Sequence, residues 1–168
     1  MRYTLSVLVE NRPGVLAQIS SLLSRRGFNI ESIAAGITNE PDITRITLVV
    51  KGDKYVLSQV TRQLEKLVDV ITVRDFSKEA SVDRELLMVK VKADAEARAE
   101  ILQITEVFRA RVVDMGPDTM ILEMTGDDEK ITALTNLLAK FGVLELARTG
   151  KISLLRGHRL TREEMDKG

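Results

Sequence analysis

A chain of 168 residues has room for one ordinary domain or two small ones, and an apolar content of 44% is enough for a core, which excludes wholesale disorder. The 25 basic and 25 acidic residues cancel, so there is no uniformly basic surface for nucleic acid. Cysteine is absent and the single histidine, His158, lies in a charged tail, which excludes disulfides, thiol nucleophiles and the usual zinc sites.

Residues 3–10 alternate apolar and polar, as a half-buried strand does. Asn11-Arg12-Pro13-Gly14 breaks that pattern, and Val15, Leu16, Ile19, Leu22 and Leu23 then recur at helical spacing up to Gly27. Residues 28–37 read as a second strand. Glu40-Pro41-Asp42 is a turn, and residues 43–50 are a third strand with Ile46, Leu48 and Val50 on one face. After Gly52-Asp53 comes a helix striped by Leu57, Val60, Leu64 and Leu67, and residues 68–76 close a βαββαβ unit as its fourth strand. The polar stretch 77–83 reads as a linker.

The order then repeats. Residues 85–91 form a strand, Asp94 is an N-cap, and Ala97, Ile101, Ile104 and Phe108 stripe a helix. Strands at 110–115 and 119–125 are joined through Gly116-Pro117-Asp118. Asp127 opens a helix with Ile131, Leu134, Leu137 and Leu138 inside, and 143–155 is the last strand. The expected fold class is α+β: two ferredoxin-like βαββαβ units, with antiparallel sheets carrying helices on one face. The units are expected at 1–76 and 84–157, followed by a loose charged tail at 158–168. Strands that are apolar on both faces, such as Leu5, Val7 and Val9 against Leu8, predict a homodimer or higher oligomer. No apolar run approaches the ~20 residues of a spanning helix, and Met1 leads directly into a strand, so a cytoplasmic chain with no membrane role is expected.

Chemistry can gather where a strand hands over to a helix N-terminus. At Asn11-Arg12-Pro13-Gly14-Val15-Leu16, free backbone N–H groups and the positive end of the helix dipole suit a carboxylate. Gly14 permits close approach, and the amide of Asn11 can donate and accept. Such a turn can grip the zwitterionic head of an amino acid; it can equally be a Pro-initiated helix with an ordinary turn. Asn29, within Arg26-Gly27-Phe28-Asn29-Ile30-Glu31-Ser32, can cap a turn or reach a ligand across a subunit boundary. The acids of Thr125-Gly126-Asp127-Asp128-Glu129-Lys130 are explained by a helix N-terminus. Arg109 and Arg111 lie two apart and can share a face, which can bind an anion or simply be solvated. No Ser–His–Asp, phosphate-loop or dinucleotide-binding pattern is present.

Asn11-Arg12-Pro13-Gly14-Val15-Leu16 at the first strand–helix turn of a βαββαβ unit resembles the ACT domain, a small-molecule sensing module, here at 1–76. Together with Arg26-Gly27-Phe28-Asn29-Ile30-Glu31-Ser32, Val68-Asp69-Val70, Glu106-Val107-Phe108-Arg109 and Ala147-Arg148-Thr149-Gly150-Lys151, it resembles the small subunits of acetohydroxyacid (acetolactate) synthase. The resemblance implies a non-catalytic regulatory subunit that activates a catalytic large subunit and confers feedback inhibition by a branched-chain amino acid, usually valine. It implies no cofactor in this chain, with thiamine diphosphate, magnesium and FAD on the large subunit. It also implies an effector held between paired ACT domains, with Asn11, Gly14, Val15 and Leu16 on one side and Asn29 and Ile30 of the neighbouring chain on the other. The equivalent turn of the second unit, Lys92-Ala93-Asp94-Ala95, has no glycine and is expected not to bind an amino acid in this way. The rival readings are a stand-alone ACT sensor regulating another enzyme or transcription, an RNA-binding βαββαβ protein, and an acylphosphatase-like enzyme. The first lacks a companion DNA-binding or catalytic domain, the second lacks stacking aromatics on its central strands, and the second unit argues against the third.

Overall fold

The alternation near the N-terminus becomes β1 (Arg2–Glu10) in the computed structural model, which describes residues 1–162. Helix α1 (Val15–Arg25), β2 (Asn29–Ile37), β3 (Ile43–Lys51), α2 (Lys54–Glu65) and β4 (Val70–Asp75) complete a βαββαβ unit. Its sheet runs β2-β3-β1-β4 with every neighbouring pair antiparallel. Leu5 registers on Leu48 and Val7 on Ile46, so these residues share one face. That face is buried against Val15, Ile19 and Leu23 of α1 and Val60 and Leu64 of α2. The spacing of 15, 19 and 23 places one stripe along the helix. Leu16, expected in the same stripe, is 46% exposed, because one residue on from Val15 turns it away from the sheet.

The second unit is β5 (Ser81–Lys92), α3 (Ala95–Val107), β6 (Arg111–Met115), β7 (Thr119–Gly126), α4 (Asp128–Leu138), a single 3-10 turn (Ala139–Phe141) and β8 (Val143–Arg148). Its sheet runs β6-β7-β5-β8, again antiparallel, with β9 (Ile152–Leu155) pairing β5. Leu87, Val89 and Val91 face Met120, Leu122 and Met124, and Ile101, Ile131, Leu134 and Leu138 cover them. Leu137, expected inside, is half exposed. The α+β class and both ferredoxin-like units are therefore present.

Three boundaries differ from the sequence reading. β5 already begins at Ser81, so the stretch read as a linker at 77–83 ends in strand. The single strand expected at 143–155 is two, β8 and β9. The break falls where Thr149 leaves the ladder: its N–H donates to the Leu86 carbonyl (3.0 Å) and its hydroxyl accepts the Leu86 N–H (2.9 Å). The chain divides into one compact unit at 83–150 and another formed by 1–82 with the residues from Lys151 onward. The return segment thus groups with the N-terminal unit, while its strand β9 pairs β5.

That segment explains the two-sided apolar strands. Tyr3 through Val9 is buried at every position, on both faces of the N-terminal sheet. Arg45 registers on Leu8, Arg74 on Ser6, and Ser32 reaches Thr4 through Val49, so all three lie on the face away from the helices. Residues of the return segment meet each of them. The Lys151 N–H donates to Ser32 Oγ (3.0 Å), Arg45 Nη1 donates to Thr161 Oγ1 (2.7 Å), and Arg74 Nη1 donates to the Leu160 carbonyl. Arg45 also donates to Ser6 Oγ (2.6 Å), and burial holds its guanidinium below its usual pKa. The second sheet face is therefore covered by the chain itself, and does not by itself require another copy. The tail expected to be loose from 158 is anchored at Thr161, which is 7% exposed; residues 163–168 of that tail lie outside the described residues.

Candidate functional site

The first strand–helix turn is held open by backbone geometry. Gly14 is the N-cap of α1 at φ 86°, ψ −9°, in the left-handed region, and no side chain caps the helix. The first turn of α1 contains no acidic residue. The Val15 N–H donates to the Arg12 carbonyl (3.5 Å), no side chain caps the N–H groups that follow, and a Cβ built on Gly14 meets nothing within 4 Å. An uncapped helix N-terminus with open space before it suits a carboxylate.

The remaining members of the motif play separate parts. Asn11 organises the turn: its N–H donates to the Asp42 carbonyl (2.8 Å), its Nδ2 to the Pro41 carbonyl (3.0 Å), and its Oδ1 accepts from Thr44 Oγ1 (3.2 Å). An amide has two N–H groups, so one donor remains beyond these contacts. Arg12 lies 3.6 Å from Asp69, whose carbonyl accepts the Glu10 N–H (2.8 Å). The Val68-Asp69-Val70 motif thus braces this turn. Val15 is buried in the core, so it can offer a ligand only backbone, whereas Leu16 is exposed beside the opening.

Asn29 and Ile30 begin β2, the sheet edge opposite β4. Asn29 is exposed, and Ile30 packs partly against the core. Asn29 registers on Lys51 and Lys51 on Arg2, whereas Asn11 follows Glu10, which registers on Ile43. The two motifs therefore lie at opposite ends of one sheet. Eight strand steps of ~3.3 Å put them roughly 26 Å apart. One chain does not bring them together.

The equivalent turn of the second unit is closed. Asp94 Oδ1 accepts the Ala97 N–H (2.8 Å), so the helix N-terminus already holds a carboxylate. Arg98 braces the same turn, donating to the carbonyls of Ala93, Gly116 and Pro117. Asp127 caps α4 through the Lys130 N–H (2.9 Å). Its neighbour Asp128 pairs with Arg148, which also holds the buried carboxylate of Glu85. The hydrogen bond with Glu85 is the main reason the Arg148 pKa is raised, with Asp128 adding to it. Arg109 ends α3 in the left-handed region at φ 53°, and Arg111 stands 3.8 Å from Glu123. Among the described residues no group of three or more His, Asp or Glu is placed to hold a metal, and no helix is long and apolar enough to cross a membrane.

Sequence reasoning missed Pro41, Asp42 and Thr44 as partners of Asn11. The Glu40-Pro41-Asp42 turn was the available signal, but its pairing partner depends on the β1–β3 register. It also missed Ser32, whose hydroxyl turns away from the core.

Comparison with known proteins agrees over both units. Residues 84–157 match the family model described as "Small subunit of acetolactate synthase", and residues 5–72 match "AHAS small subunit-like ACT domain". A probable acetolactate synthase small subunit of Archaeoglobus fulgidus is 48% identical over 95% of this chain and 99% of its own length. Another, of Methanothermobacter thermautotrophicus, is 52% identical over 94% of each. The crystal structure of the acetolactate synthase small subunit of Thermotoga maritima superposes with a TM-score of 0.85 at 38% identity, covering 95% of this chain and 99% of that one.

Proposed function

Because the chain belongs to the acetolactate synthase small-subunit family, we propose that it is a non-catalytic regulatory subunit that activates a catalytic large subunit and makes it sensitive to a branched-chain amino acid, valine first among them. The reading assigns the thiamine diphosphate, magnesium and FAD chemistry to the large subunit and the whole complex to the cytoplasm. One observation carries it. The two halves of the amino-acid-binding motif, the open N-terminus of α1 and the start of β2, lie at opposite ends of one sheet, so a complete site needs a second copy of the chain.

The edge strand β2 supplies the means. It pairs only β3 among the described residues, and Ile33 and Ile37 on it are 40% and 67% exposed. Two such edges joined antiparallel about a two-fold axis reverse one strand against the other. The start of β2 in one copy is then carried toward the end of the sheet where the other copy has its Asn11 turn. The effector carboxylate meets the helix N–H groups beside Gly14, Asn11 contributes its remaining amide N–H, and Leu16 lines the mouth. Asn29 and the Ile30 backbone close the site from the partner. An effector held at that boundary favours one arrangement of the two copies, and the large subunit responds to the extent that its contacts differ between arrangements.

The test is acetolactate formation by a cognate large subunit with and without this chain. The reading predicts no turnover by the chain alone, a rise when it is added to the large subunit, and a fall when valine follows. Turnover of pyruvate by the chain alone, or a large subunit indifferent to its presence, contradicts it.

A further inference from the structure

Two of the motifs that carry the family resemblance, 26–32 and 147–151, are far apart in sequence and are joined by a hydrogen bond. The Lys151 N–H donates to Ser32 Oγ at 3.0 Å, across 119 positions. We propose that Ser32 is a relay residue, through which occupation of the effector site at the start of β2 is passed to the chain that returns from the C-terminal unit. The proposal rests on the reading above, that Asn29 and Ile30 contact an effector.

Ser32 sits where β2 is irregular. Ile30 registers on Val50 and Ser32 on Val49, so one extra residue, Glu31, is accommodated between them. Such a bulge is a local departure from the ladder and can be re-aimed without unzipping the strand. Glu31 is held by an ion pair with Arg2 Nε on the neighbouring part of the unit. Asn29 and Ile30 immediately precede the bulge, so a ligand pressing on them changes how the bulge seats, and Ser32 is its far side.

The other end of the hydrogen bond is equally constrained. Arg148 is fixed by Glu85 and Asp128, and Thr149 is fixed at both its N–H and its hydroxyl to Leu86. Gly150 alone separates that clamp from Lys151. One residue between two anchored neighbours leaves a reach of only about 7 Å from Cα to Cα, so displacement at Lys151 has little slack in which to dissipate. Ser32 is half-buried, and among the described residues the partner of its hydroxyl is the Lys151 N–H.

The experiment uses the full chain and its complex with the large subunit. Ser32→Ala is titrated with valine by calorimetry and assayed for inhibition in parallel. The expected result is affinity within about threefold of wild type with maximal inhibition reduced to less than half, while Ser32→Thr, which keeps the hydroxyl, is inhibited as wild type. Inhibition of Ser32→Ala equal to wild type overturns the relay, and so does loss of binding together with inhibition, which would make Ser32 part of the site itself. Should Ser32→Ala fold poorly, hydrogen exchange of the wild-type peptide containing Lys151 decides. Saturating valine is expected to change exchange there several-fold, and unchanged exchange overturns the relay. A wild-type protein that binds none of valine, leucine or isoleucine fails the effector reading first, and the relay falls with it.

Discussion

The two units share one plan and differ at one turn. In the N-terminal unit the first helix begins at Gly14, in the left-handed region, with no capping side chain and no acid in its first turn. In the C-terminal unit the corresponding helix begins at Asp94, whose own carboxylate accepts the Ala97 N–H, and Arg98 ties the turn to three carbonyls. A helix N-terminus needs an acceptor for its free N–H groups. One unit supplies it from its own sequence and the other leaves it to be supplied from outside. On the proposed function, the unit with the open N-cap is the one that senses, and the choice of residue at the N-cap separates the two units.

The largest expected effect breaks the difference at Gly14. Gly14→Asp places a carboxylate where the proposed site holds the effector's. Like charges ~4 Å apart at an effective dielectric of 20 repel by about 4 kcal/mol, so valine affinity should fall by roughly 10²–10³-fold in a calorimetric titration. An acid at a helix N-terminus is locally favourable, but the left-handed backbone opposes any side chain by about 1–2 kcal/mol, so a lower melting temperature should accompany the loss. Gly14→Ala separates the two, since it carries the strain without the charge.

Next comes the brace of the C-terminal unit. Glu85 is 6% exposed and held by Arg148. Arg148→Met leaves that carboxylate buried without its partner and should destabilise the protein by about 3 kcal/mol in urea unfolding. Asp94→Ala should cost about 1 kcal/mol, a shift of ~2–4 °C in melting temperature, and leave valine affinity unchanged. An effect of Asp94→Ala on affinity would show that the second turn is not closed.

The smallest effect is on acid stability of the return segment. Glu79 is bridged by Arg74 and Arg159, and hydrogen bonding to Arg74 is the main reason its carboxyl pKa lies below the ordinary range. A group whose folded pKa is depressed stabilises the fold above its unfolded pKa and loses that contribution as pH falls through the folded value. Glu79→Gln should therefore lower stability slightly at neutral pH and flatten its decline below about pH 4.3, read from melting temperature against pH.

Much of this was legible in the sequence. The stripe of Val15, Ile19 and Leu23, the caps at Asp94 and Asp127 and the order of elements all follow from local periodicity and local hydrogen bonding. So did the contrast between Gly14 and Asp94, because a helix cap is a property of a few adjacent residues. What was not legible is non-local. The burial of Leu8 and Ser6 reads as a surface awaiting a partner until residues 151–161 are seen to cover it. The occupation of Asn11 by Pro41 and Thr44 depends on strand register, and the meeting of Ser32 with Lys151 on a chain reversal that periodicity does not encode.

The central claim is that one site is assembled from two chains, and mixing tests it most directly. Gly14→Asp spoils the turn, and Asn29→Glu places a longer, charged side chain at the start of β2. Each variant alone should bind valine weakly or not at all. In a heterodimer of the two, one site carries both changes and the other carries neither. Exchanging the two proteins together and titrating valine should therefore reveal a class of sites with wild-type affinity, one per heterodimer. If the mixture shows no site of wild-type affinity although the subunits exchange, the turn and the strand start do not form one site between chains.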